Sequence, residues 1–160
     1  MKIQDDLTKY ISTALNNTLP EKTKIKTRFH LLDAIVSILT GRLLPPGQKG
    51  FNFSKNQGGA EEATLLGNNI KVSAINAAFS NGMAAHANET DDSHTKGRFH
   101  PGCAIIPTTL AIAEKENLSS EEIFKGIALG YDIGVRFTTS LGYKTPKTSI
   151  FATHSIGTIF

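Results

Sequence analysis

Between His86 and His100 the chain sets His86, Glu89, Asp91, Asp92, Ser93, His94 and His100, seven groups able to move a proton, hold a metal or accept a hydrogen bond. Such a cluster is costly near an apolar core unless it does chemistry or lies in a solvated loop. Three readings follow from residue types alone. In the first, the histidines and acids hold a divalent metal, as in a metal-dependent hydrolase. His86-x-x-Glu89 would put two ligands on one helix face. Helical di-metal sites, however, draw a Glu-x-x-His from each of two helices, and here one pair stands in reverse order. In the second reading the same groups do metal-free acid–base work on a carboxylate substrate. Asp91 and Asp92 push each other's ionisation apart, His100 titrates near neutrality, and Lys96 and Arg98 grip carboxylates by charge-assisted bonds. In the third, the run TDDSHTKGR is a solvated loop and His86 a satisfied core histidine.

Helices must position this stretch. Ser73 is placed to cap a helix running into it. Ile75, Phe79, Gly82, Met83 and His86 share one face of that helix, and Ala74, Ala77, Ala78, Asn81 and Ala85 form a small-residue face beside it. The pattern predicts a buried central helix fraying near Asn88 or Thr90, with the polar cluster at its end and in the following loop. Upstream, Ile3, Leu7, Tyr10, Ile11, Ala14 and Leu15 repeat at helical spacing. A second helix is expected from Pro20-Glu21 to Gly41, burying Ile25, Phe29, Leu32, Ile35, Val36 and Leu39. Asp33, within that span, is expected to hydrogen-bond a neighbouring loop. Residues 42–59 read as a long loop, because Pro45-Pro46-Gly47, Lys49-Gly50 and Gly58-Gly59 break any periodicity. Glu61 to Leu66 reads as a short helix.

Downstream, a helix is expected over Ala104 to Asn117 with Pro107 in its first turn. Ser119 and Glu122 form a capping box for another helix, on which Gly126, Gly130 and Gly134 make a ridge suited to close packing. Leu141 to Lys147 reads as a turn region and Ser149 to Phe160 as an apolar element. Sustained strand alternation is absent, so the class is all-α, a helical bundle in one domain over residues 1–160.

Composition narrows the function. A net charge of +3, with 17 basic residues scattered along 160, lacks the basic stripe a nucleic-acid partner requires. The single cysteine, Cys103, excludes an internal disulfide and multi-thiolate zinc modules, and its apolar flanks suit a small core thiol rather than a nucleophile. No apolar run reaches membrane-spanning length and the N-terminus lacks a signal-peptide pattern, so no membrane partner is expected and the location reads as cytoplasmic.

The segment AAFSNGMAAHANETDDSHTKGRFHPG, followed by IIPTTLAIAE, resembles the signature of the MmgE/PrpD family. Leu19-Pro20 with Leu31-Leu32-Asp33 and Gly41 is similar to the family's opening, and Ala128 to Asp132 with Arg136 is similar to its AxxxGYExxxR segment. The resemblance implies the N-terminal part of a large helical domain, lacking a smaller α+β domain. It further implies cofactor-free lyase chemistry on a small polycarboxylate: dehydration as in 2-methylcitrate dehydratase, decarboxylation of cis-aconitate, or epimerisation. By the same resemblance Asp91, Asp92 and His100 are candidate catalytic residues. Glu89, Ser93, Lys96, Arg98 and His86 are candidate substrate-binding residues, with no metal ligand. Glu89 stands where the family usually has aspartate, and Ser93 where it has threonine. The expected partners are the polycarboxylate and either a second copy or a complementary C-terminal chain. The 160 residues alone are expected to be inactive; a non-catalytic helical interaction module is the alternative.

Overall fold

The computed structural model describes residues 2–140. Six helices lie among them: α1 (Ile3–Asn16), α2 (Glu21–Gly41), α3 (Pro45–Gln57), α4 (Ala74–Ala85), α5 (Gly102–Glu116) and α6 (Ser120–Ser140). Strands β1 (Ala63–Thr64) and β2 (Lys71–Val72) pair as one short antiparallel hairpin, so the class is all-α as expected. The turn region and tail expected beyond residue 140 lie outside the described residues.

Helix α4 is central, packing against α2, α3, α5 and the hairpin. Ser73 caps it, its hydroxyl accepting from the Asn76 amide at 3.4 Å. The small-residue face is the buried one: Ala74, Ala77, Ser80, Asn81, Ala84 and Ala85 are covered, and Ile75 and Phe79 are exposed. Small side chains let neighbouring backbones approach, and a denser interior gains more dispersion contacts. The ridge on α6 behaves likewise. A Cβ at Gly130 would stand 2.8 Å from Ile105 Cγ2 on α5, so only glycine permits that crossing. The Ser119–Glu122 box forms as expected, Ser119 N donating to Glu122 Oε2 at 2.8 Å and Glu122 N to Ser119 Oγ at 3.3 Å.

Three local expectations are corrected. Residues 45–57 are helical. Pro45 and Pro46 occupy the first helical positions, where a missing N–H costs nothing, and Gly47, Gly50 and Ser54 form the buried face instead of turns. Residues 61–66 enter the hairpin, not a helix, because tertiary partners claim their backbone. Asn81 on α4 accepts from Leu66 N and donates to Thr64 O, both at 3.0 Å. Glu114 on α5 accepts from Thr64 N and its hydroxyl. Finally, Ile25, Phe29, Leu32, Val36 and Leu39 of α2 are 40–68% exposed, while Thr27, Ala34, Ser37, Ile38 and Gly41 are buried. The large apolar residues follow an alternating four–three spacing, but the interior selects the small face. Asp33 lies exposed, and among the described residues it makes no hydrogen bond to a loop.

Candidate active site

Helix α4 ends at Ala85, and the His86 amide donates to Gly82 O at 3.2 Å, closing the last turn. The loop to Pro101 is folded, not merely solvated. Its far end is pinched by an antiparallel bridge between His94 and Phe99, with His94 N donating to Phe99 O at 2.9 Å. Gly97 N donates to His94 Nδ1, also at 2.9 Å. Phe99 is buried against Gly134 of α6, which anchors the pinch to the bundle.

Asp91 turns inward from this loop with its side chain 1% exposed. Its carboxylate receives His86 Nδ1 at 3.1 and 3.3 Å. His100 Nδ1 lies 3.4 Å from Asp91 Oδ1 and 3.3 Å from the Asp91 carbonyl oxygen. A carbonyl and a carboxylate only accept, so both rings present Nδ1–H to Asp91. The rings meet edge to face with centroids 4.8 Å apart. Two imidazoles oriented by one buried carboxylate can act as an acid–base pair.

Asp92 points the other way. Its Oδ2 receives Tyr131 OH at 2.6 Å and His30 Nδ1 at 2.8 Å, and its Oδ1 receives the Gly102 amide at 2.9 Å. It thereby joins the loop to α2, α6 and the N-terminus of α5, which has no local side-chain cap. Burial opposes its ionisation, but the bonds from His30, Tyr131 and Gly102 outweigh burial and hold its carboxyl below the ordinary range. Burial and the Asp92 charge push the Tyr131 phenol far upward, so it stays a donor. Gly102 must be glycine here, since a Cβ would stand 2.6 Å from Asp92 Oδ1.

The sequence profile of the MmgE/PrpD N-terminal domain matches residues 5–160. The chain belongs to the MmgE/PrpD family. No curated protein matches it. In this MmgE/PrpD domain the residues singled out by sequence separate into three groups. His86, Asp91 and His100 come together. Asp92 departs to the α2–α6 side. Glu89, Ser93, Lys96 and Arg98 lie exposed along the loop, Glu89 and Arg98 with positive φ of 54° and 53°.

Cys103, in the first turn of α5, completes the Asp91 side, its thiol donating to His100 O at 3.2 Å. Burial, with the Asp91 carboxylate second, pushes that thiol up to about 12, which keeps it protonated and a poor nucleophile. Ligand atoms of His86, Asp91 and Cys103 lie within 4.8 Å of one another, so this trio is compact enough for one ion. A metal there would have to displace the thiol proton against burial and the neighbouring carboxylate. Glu89 and His94 of the metal reading are not part of this trio.

Sequence reasoning missed His30 altogether and gave Tyr131 no site role. Nothing in spacing ties residue 30 to residue 92. The Gly-Tyr of the family-like segment on α6 was the one signal available for Tyr131.

Proposed function

We propose that this domain supplies the acid–base half of a lyase site for a small polycarboxylate, by 2-methylcitrate-type dehydration or cis-aconitate-type decarboxylation. The observation that carries this reading is the pair of imidazoles sharing the buried Asp91 carboxylate. One Nε2 removes the proton next to a substrate carboxylate, and the other protonates the departing hydroxyl. In decarboxylation the protonated ring instead delivers its proton to the carbon that loses carbon dioxide. Asp91 holds both Nδ1–H groups, so each ring meets substrate through the correct nitrogen. Lys96 and Arg98 suit the substrate carboxylates, Ser93 its hydroxyl, and Glu89 borders the same loop. Asp92 is a positioning residue, holding the loop on α2, α5 and α6. No step in this scheme calls for a cofactor.

The loop is open to solvent at all four of these candidate binding residues. Residues 1–160 alone are therefore expected to bind substrate without enzyme-like turnover, since water competes for every carboxylate contact. Titrating the chain with cis-aconitate should move the side-chain NMR signals of His86 and His100 together, and Asp91→Asn should abolish the paired response. Histidine signals unmoved at tens of millimolar would sink the reading. Rapid turnover by residues 1–160 would overturn the expected inactivity.

The exposed stripe on α2 favours a second reading, an interaction module. Ile25, Phe29, Leu32, Val36 and Leu39 repeat at the four–three spacing of a helix–helix seam, which fits a second copy of the chain. Light scattering should then give a dimer that Leu32→Glu with Val36→Glu splits; a monomer in both cases removes this reading.

A further inference from the structure

We infer that a cavity lined by Arg42 binds a small oxyanion, a carboxylate or phosphate group carried by a metabolite. The cavity has a volume of about 250 Å³ and is walled by the end of α2, by α3, by the hairpin turn and by α4. It includes none of His86, Asp91, His100 or Cys103. One apolar cluster of Ile38, Ala84 and Ala85 separates the two places, with Leu66 on the cavity side and Cys103 on the histidine side.

Arg42 sits at the C-terminus of α2, and its Nε is buried without a hydrogen-bond partner. A guanidinium keeps its charge in proteins, so an unanswered buried donor on it is costly. The side chain is also held in place. Gly67, with φ +79°, leaves it room, because a Cβ there would stand 2.6 Å from Arg42 Nε and 2.8 Å from its Cδ. Gly47 meets the backbone at the end of α2, where a Cβ would stand 2.7 Å from Arg42 Cα. Gly67 thus leaves space for the side chain, and Gly47 for the backbone that carries it.

The counter-charge does not come from the chain. No acidic residue lines the cavity. Glu62 is engaged by Ala74 N and Lys115, and Glu114 by Thr64 and Lys71. Residues 141–160 contain no aspartate or glutamate. The remaining lining is neutral, and Gln48, Asn52, Asn68, Ser80 and Asn81 give it hydrogen-bonding groups. One planar cation amid amides and a hydroxyl fits two oxygens of a carboxylate or phosphate, and the volume admits only a small molecule.

The test is a titration of the 160-residue chain with citrate and, separately, with inorganic phosphate, reading the Arg42 Nε–Hε NMR signal against chloride at matched ionic strength. A saturable shift with either anion but not with chloride is expected. Citrate alone assigns a carboxylate ligand, and saturation by phosphate assigns a phosphate-bearing one. Arg42→Gln should weaken the effect at least tenfold, read at the Gly67 and Asn68 amides. Asn52→Asp, which leaves the arginine and its glycines intact and supplies an internal carboxylate, should do the same. No saturable shift, or equal affinity in both variants, overturns the proposal. Shifts confined to His86 and His100 overturn it while leaving the lyase reading standing.

Discussion

Asp91 and Asp92 are adjacent in the chain and opposite in surroundings. Asp91 is sealed inside the loop and faces the Nδ1 atoms of two histidines. Asp92 is 16% exposed and takes a phenol, an imidazole and a backbone amide from three different helices. The first arrangement orients groups that could react. The second satisfies groups that must not move. A pair of identical side chains thus divides into one that faces two imidazoles and one that ties three helices together, and the division is made by which helices lie within reach.

The largest test of that contrast is stability. Asp92→Ala would strand the Tyr131 hydroxyl and the buried Gly102 amide, while the half-exposed His30 ring can turn to water, and should cost about 2 kcal/mol in denaturant unfolding. Asp91→Ala should cost only about 1 kcal/mol, because the His86 and His100 rings are partly exposed and can turn their Nδ1–H to water. Equal costs would erase the distinction.

A smaller effect follows from ionisation. Asp92 is held below the ordinary carboxylate range, so its contribution is fully present above about pH 4 and is lost as pH falls through its folded value. The stability difference between wild type and Asp92→Asn should be constant from pH 7 to 5 and shrink below pH 4. A difference that grows on acidification contradicts the assigned bonds. The mildest test concerns Cys103. With its thiol pushed up to about 12, alkylation by iodoacetamide at pH 8 should run at least tenfold slower than for a free cysteine. Asp91→Asn, which removes the second contributor to that shift, should speed it. Modification at the free rate in the wild type would show that Asp91 and burial do not govern this side.

Much of this was legible in the sequence. Ser73 and the Ser119–Glu122 box announced two helix starts, because capping is a local matter of side-chain oxygens and backbone amides. The glycine ridge of α6 announced close packing, and the ordered motifs over residues 77–114 announced the MmgE/PrpD family. The histidine–acid cluster stood out by composition, which left metal, acid–base and solvated-loop readings open.

Other features were decided only in three dimensions. Pro45 to Gln57 became a helix because Gly50 packs on Met83 and Ser80 of α4 and Gly47 on the end of α2, which lets Pro45 and Pro46 start a helix instead of a turn. Residues 63–72 became a hairpin because Asn81 and Glu114 reach their backbone from other helices. The buried face of α2 is its small-residue face, since close helix approach outweighed the size of Ile25, Phe29 and Leu32. The roles of Asp91 and Asp92 likewise rest on His30 and Tyr131, residues 62 and 39 positions distant from Asp92. Sequence fixes which groups are present and which segments coil. Which of two adjacent carboxylates meets a donor depends on helix packing, which no spacing within fifteen residues encodes.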